Sequence, residues 1–415
     1  MTDRLYYTDP YLQAFDARVV RVDRCDGRTI VALDRTAFYP TSGGQPFDVG
    51  TLGDHRVVDV IDEDDGSISH VIEEAEAGAA PPAAGQTLHG AIDWPRRFDH
   101  MQQHTGQHVL SAAFDRLSGV RTVSFHLGAA SATIDLAREM SQREIAAAED
   151  EANRVVWEDR PVSIRFVSAE EAARLPLRKE PARGGTLRLI DVESFDLSAC
   201  GGTHVSRTGA IGVIAIASWE RFKGGQRIEF VCGRRALARF RSLRDTVASA
   251  GRLLSAGADD LPATIERLQA EAKEQKRTLA GLQGELARYR AEELAASAEE
   301  LHLKSAVPDT PTTPPPLVRL VARAVDADAN GLKALATSIT RAPGYVVVLV
   351  STGRPVLAVV SRSQDVAVQA NTTLSALLAK FGGRGGGKAD VAQGGGLDAP
   401  PDEILATARA VMLAG

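Results

Sequence analysis

Two short motifs about 90 residues apart constrain this 415-residue chain more than anything else in it. The first is His104 and His108. They lie in a stretch where Met101, Val109, Leu110, Ala113, Phe114 and Leu117 recur as one face of a helix, from about residue 98 to 117. A spacing of four puts both imidazoles on the same side of that helix. The second is Cys200-Gly201-Gly202-Thr203-His204, where the glycine pair lets a thiolate and an imidazole bend back toward one point. A fold that uses both motifs must bring a helix against a distant loop. Together they offer three nitrogens and one sulfur, a donor set suited to Zn²⁺. Either motif alone is a modest signal, and histidine pairs on helices are mostly surface or core residues. Thr105 follows His104, so the HExxH pattern with its built-in general base is absent.

The rest of the chain reads as an α+β protein of several domains. Residues 1–90 carry short β-branched runs, VVRVD, RTIVALD and HRVVDVIDE, around a turn-rich loop at Phe38–Pro46, and suggest a small β-barrel. Residues 91–250 mix helices with strands. Ser141 and Glu144 have capping-box spacing for a helix to Trp157, and PVSIRFV, TLRLIDV, GAIGVIAIASWE and QRIEFVCG read as strands. Within 251–304 a long helix is expected over 262–303. Leu261, Ile265, Leu268, Ala272, Gln275, Leu279, Leu282, Leu286 and Tyr289 alternate steps of four and three, a heptad stripe that needs a partner. A homodimer through this 261–289 coiled coil is the expectation, and a hairpin arm folding back on its own chain is the alternative. Residues 305–316, SAVPDTPTTPPP, read as a Pro-rich linker. Residues 317–415 read as an α/β domain with a glycine loop around Gly385–Lys388 and a closing helix.

Composition narrows the function. With 48 basic and 54 acidic residues the net charge is −6, which excludes a generally basic nucleic-acid binder but leaves room for a local patch such as Arg221–Arg244. Three scattered cysteines do not make a disulfide framework, and Cys25 and Cys232 read as small core residues. The N-terminal residues lack the pattern of a signal peptide, and the longest apolar runs are far short of a membrane span. The expectation is a cytoplasmic protein with no membrane partner.

The run Met101-Gln102-Gln103-His104-Thr105-Gly106-Gln107-His108, followed by CGGTHV, resembles the editing domain of alanyl-tRNA synthetase and the free-standing AlaX trans-editing proteins. Tyr39–Pro46, Ser124–Gly128, Lys223–Glu229 and Gly385–Gly396 are similar to further segments of that family, in family order; the last resembles its C-terminal DHHA1-type domain. Only about 90 residues precede the histidine-bearing domain, so the class II aminoacylation core has no room and the resemblance is to the long trans-editing form.

The resemblance implies a zinc-containing hydrolase that deacylates seryl-tRNA(Ala), with glycyl-tRNA(Ala) as a second substrate. His104, His108, Cys200 and His204 would hold the metal. A site that hydrogen-bonds the serine hydroxyl can reject alanine by about 10⁴–10⁵, and the pocket candidates for this are Thr105, Gln107, Thr122, Ser124 and Thr203. The family often has threonine just before the second histidine, where this chain has Gln107. Gly43, Gly44 and Gln45 would approach the terminal adenosine or gate the pocket, and His126 would be a core or rim residue. Arg227, Arg234, Arg235, Arg384 and Lys388 are candidate tRNA contacts, the last two on a domain that would grip the outer corner of tRNA. The alternative is a non-catalytic tRNA-binding protein with a structural zinc.

Overall fold

Six strands with apolar residues on their inner faces close into a barrel near the N-terminus. They are hydrogen-bonded in the order Ala14–Cys25, Arg28–Leu33, Ile68–Ile72, His55–Asp62, Gly50–Leu52 and Thr87–Ile92. Phe15, Val19, Val31, Phe38, Val57 and Ile68 fill the interior. The computed structural model describes residues 1–25, 28–73, 82–178, 185–302 and 317–414, in two compact units, Met1–Leu253 and Leu254–Gly415. The Pro-rich stretch 305–316 and the side chain of Cys25 lie outside the described residues.

In the first unit the barrel leads directly into helix α1, Trp94–Ser118. Asp93 caps it by accepting from Arg96 N, Pro95 occupies its first turn, and Gly119 ends it in the left-handed conformation. Its run from His100 to Phe114 is buried on every side. A helix buried all round must find partners for its polar side chains, and most of them have one, His100 Nδ1 being an exception among the described residues. Gln103 donates to Cys232 O at 3.1 Å and accepts from Cys232 N at 2.8 Å. Gln102 donates to Ala210 O, and Asp99 pairs with Arg235. Helix α2, Gln142–Trp157, starts with the capping box expected of Ser141 and Glu144 and packs on α1. A four-stranded sheet, in the order Ile214–Phe222, Gly225–Cys232, Ala132–Leu136, Thr122–Leu127, covers these helices. A second sheet joins Val162–Val167, Leu187–Val192 and Asp196–Ala199. The one-turn α3, Ala169–Ala172, and the long α4, Gly233–Leu254, complete the unit.

One local reading changes here. The strand expected to begin at Gly209 starts at Ile214, because Thr208–Ile211 forms a 3₁₀ turn closed by Gly212 at φ +73°. Cys232 is fully buried, as expected of a core residue.

The second unit opens with α5, Leu261–Ala296. It is shorter than the sequence suggested: Glu299–His302 leaves the helix and becomes an edge strand paired with Leu317–Val325. The six-stranded sheet continues through Tyr345–Ser351, Val356–Arg362, Val391–Leu397 and Arg384–Gly387. The glycine loop is therefore half of a β-hairpin rather than a free loop. Helix α6, Ala329–Ile339, and the C-terminal turns of α5 pack on Val321, Val347 and Leu349. Helices α7, Ala370–Phe381, and α8, Pro401–Ala414, pack with the alternate residues Val346, Val348 and Val350. With both faces covered, Tyr345–Ser351 is buried throughout, which accounts for its unbroken apolar run. The heptad residues Ile265, Leu268, Leu279, Leu282, Leu286 and Tyr289 are exposed along α5. No described helix is long and apolar enough to cross a membrane.

One buried ion pair ties the barrel to α1. Arg97 and Asp48 are both fully buried; Arg97 also donates to Pro10 O and Ala37 O, and Asp48 accepts from Tyr39 N. Removing one partner leaves an uncompensated charge, so Arg97→Met should destabilise the first unit by about 3–5 kcal/mol, measured by urea unfolding. His70 gives a pH signature. Thr36 Oγ1 accepts from Phe38 N and donates to His70 Nε2, while His70 Nδ1 donates to Val31 O, which fixes a neutral ring. Burial pushes its pKa from 6.5 down to about 4. The unfolded chain then takes a proton that the folded chain refuses, so this contribution is present above 6.5 and lost as pH falls toward 4. His70→Gln should flatten the fall in unfolding free energy over that interval.

Candidate metal centre

His104 and His108 stand on α1, and Cys200 and His204 on the loop after strand Asp196–Ala199. Their four donor atoms all lie within 4.8 Å of one another. Cys200 Sγ is 3.4 Å from His104 Nε2 and 3.3 Å from His204 Nε2. That is the separation of donors sharing one ion, each about 2.0–2.3 Å from it. The helix and the distant loop are thus brought together as the two motifs required.

Each imidazole is oriented from behind. His104 Nδ1 donates to Gln45 Oε1 at 2.8 Å. His108 Nδ1 donates to Asp196 Oδ2 at 2.9 Å. Thr105 Oγ1, already donating to Met101 O, accepts from His204 Nδ1 at 3.2 Å. Each Nδ1 is thereby engaged from behind, which leaves the Nε2 atoms as the donors for a metal. Burial alone would raise the Cys200 thiol, but the neighbouring His104 and His204 hold it well below the ordinary range, toward thiolate. Burial lowers His204 to about 3, keeping it neutral. Asp196 is buried, yet His108 and Arg178 hold its carboxyl far below the usual range, and Ser198 Oγ donates to it. Burial pushes the His108 imidazole down, but Asp196 and Cys200 hold it above its ordinary range. A thiolate and imidazoles fixed from behind are what a borderline-soft divalent ion such as Zn²⁺ requires, and the residues fit it.

The loop is clamped from outside. Arg188 NH1 donates to Cys200 O at 2.8 Å and Gly202 O at 2.9 Å, while its Nε donates to Tyr7 O at 2.9 Å. Gly202 is needed at its position because a Cβ there would collide with the His104 ring.

The remaining candidates divide into three groups. Thr105 and Thr203 position the ligands: Thr203 Oγ1 accepts from Gln45 Nε2 at 2.8 Å, and Thr203 N donates to Gln45 Oε1 at 3.1 Å. Gln45 is itself fully buried, so it supports the metal centre from the barrel side. Buried Gln107 and Ser111 and half-buried Thr122 form a hydrogen-bonded chain, with Gln107 Nε2 and Thr122 Oγ1 both donating to Ser111 Oγ. The Phe125 ring lies 5.3 Å from that of His104, and Gly44, at φ +86°, approaches so closely that a Cβ would sit 2.8 Å from Phe125 O. Gly43 has φ +57° and open space on its side-chain side. Ser124 faces away on the same strand and pairs with Asp135. His126 is exposed on that strand, not a core residue.

Among the arginines, Arg227 is held by Asp135 and lies over Phe222, and Arg235 is held by Asp99 and Gly128 O. Arg234, Arg384 and Lys388 are exposed. Asp196, Arg178 and Arg188 were not among the residues singled out from sequence. Asp196 precedes Cys200 by four, but nothing local marks it as the partner of His108. Asp196→Asn should lower metal affinity by about 10–100-fold, read by competition with a chromophoric chelator. In the unsubstituted protein that affinity should fall with pH, since binding needs the thiolate and neutral imidazoles.

Residues 187–229 match the family described as the threonyl and alanyl tRNA synthetase second additional domain, and residues 318–413 match the DHHA1 domain. The alanyl-tRNA editing protein AlaX-L of Pyrococcus horikoshii is 31% identical over 413 residues, covering 98% of this chain and 97% of that protein. The alanine–tRNA ligase of Pyrococcus abyssi is 34% identical over 405 residues, covering 95% of this chain and 42% of the ligase. That of Natronomonas pharaonis is 34% identical over 429 residues, covering 99% and 44%. The chain spans about two-fifths of the ligases but nearly the whole of AlaX-L. It belongs to the long-form AlaX family, with a barrel and α+β unit carrying the four-donor cluster and a C-terminal DHHA1 domain.

Proposed function

We propose that this protein is an alanyl-tRNA editing hydrolase that removes serine, and as a second substrate glycine, from mischarged tRNA(Ala). The observation that carries the reading is the cluster of three Nδ1-anchored histidines and one thiolate on a chain that matches AlaX-L from end to end. Zn²⁺ held by His104, His108, Cys200 and His204 would supply Lewis acidity toward the ester carbonyl or a bound water. The chain's own residues do the rest. Gln45, Asp196 and Thr105 fix the imidazoles. Arg188 holds the Cys200 and Gly202 carbonyls and so fixes the loop that carries Cys200 and His204. Phe125 and Gly44 shape one wall beside His104.

Serine differs from alanine by one hydroxyl, and only a hydrogen-bonding group left unpaired by alanine can separate them strongly. Gln107 and Thr122 are the pocket candidates best supported for that role, because Ser111 holds both in one hydrogen-bonded chain. A four-donor site is closed, as in structural zinc centres, which favours a second reading: a tRNA-binding protein whose zinc only holds the fold. A homodimer through the exposed 261–289 stripe and a cytoplasmic location complete the proposal.

The test is deacylation of seryl-tRNA(Ala) beside alanyl-tRNA(Ala). Fast serine loss, slow alanine loss, and a His108→Ala variant slowed at least about 100-fold while still folded support the hydrolase. No hydrolysis by folded, zinc-loaded protein that still binds tRNA points to the second reading. Gln107→Ala should narrow the serine-to-alanine rate ratio rather than abolish turnover.

A further inference from the structure

Helix α4 starts on the metal-bearing helix and projects away from its own unit's core. Arg235 Nε meets both Asp99 oxygens at 3.0 Å, and Gln102 Oε1 accepts from Arg234 N. Asp99 and Gln102 lie within about a turn and a half of His104 on α1. Beyond this anchor, Ala236 is the one buried residue of α4.

On a chain with net charge −6, α4 carries six arginines, no lysine and a single carboxylate, Asp245. Their side chains are not equivalent. Arg235 is neutralised by Asp99, and Arg244 by Asp245. Arg239 is exposed, but five residues on from Arg234 it stands about 140° round the helix. The other three, Arg234, Arg241 and Arg252, are exposed, and among the described residues none has a carboxylate in an ion pair. Their spacings of seven and eleven residues are close to two and three helical turns, so the three guanidinium groups line one face over about 27 Å. The exposed apolar residues Phe240, Leu243 and Val247 occupy the other side. An all-arginine row suits phosphates, which it grips as a planar fork.

We propose that Arg234, Arg241 and Arg252 bind the phosphate backbone of RNA, so that α4 guides the aminoacylated strand toward the metal centre where the helix is rooted. This rests on the reading that tRNA is the substrate. It also reassigns the contact: Arg227 and Arg235, the other basic candidates nearby, already have carboxylate partners.

The experiment is equilibrium binding of uncharged tRNA(Ala) to the full chain across a salt series, for the parent and for R234Q/R241Q/R252Q. Metal content and thermal melting of the variant establish that it is folded. The expected result is binding weaker by about tenfold or more and a salt slope, log Kobs against log [salt], shallower by about 2–3 for three lost phosphate contacts. R234K/R241K/R252K should restore the slope. Parent and glutamine variant with the same affinity and slope would overturn the proposal while leaving the editing function intact. A parent that does not bind tRNA at all would sink the functional reading and this inference with it. Vesicles of anionic phospholipid are run alongside. Capture by vesicles that the substitutions abolish, with tRNA binding unmoved, would assign the face to a membrane surface and overturn the proposal.

Discussion

Three hydrogen bonds from imidazole Nδ1 atoms govern the architecture of the first unit. Burying His104, His108 and His204 at one point is tolerable only if each ring has a partner for its second nitrogen. Those partners come from three places: the barrel loop through Gln45, the short strand through Asp196, and α1 itself through Thr105. The barrel, the second sheet and the central helix must therefore meet at the cluster with hydrogen-bond accuracy. The buried pairing of Arg97 with Asp48 and the clamp from Arg188 to Tyr7 O set the same junctions a few residues away. The packing that holds the unit together and the geometry that holds the donors are thus one problem.

What could be read from sequence follows the range of the interaction. The two ligand motifs were legible because each is local: a four-residue step on a helix, and a glycine-softened turn. The capping box at Ser141 and the continuous apolar strand Tyr345–Ser351 were legible for the same reason. Gln45 was visible only as part of a glycine-rich loop, and its side chain acquires a role when Thr203 and His104 arrive from elsewhere in the chain. Asp196 is an ordinary strand aspartate until Arg178 and His108 converge on it.

Secondary structure departs from its local signals where long-range pairing prevails. Arg384–Gly387 has almost no intrinsic strand preference, yet it pairs with Val391–Leu397 along its whole length. The tail of the heptad helix makes the same exchange. Glu299–His302 gives up a helical continuation to pair with Leu317–Leu320 across a stretch of unrelated sequence. In α1 the conflict is resolved within the helix. Its polar residues defeat a simple amphipathic pattern, because a helix surrounded by strands and helices has no solvent face to give them.

The double contact between the Gln45 amide and Thr203 has a structural consequence. One amide oxygen receives both a backbone N–H of the ligand loop and the proton of a ligand histidine, while the amide nitrogen addresses the threonine hydroxyl. A side chain at position 45 with different reach or polarity would misalign a donor more than 50 residues away along the chain. A change at position 45 therefore disturbs positions 104 and 203 together. The barrel and the histidine-bearing helix are thus tied as a single structural unit, however separable the two look when drawn as domains.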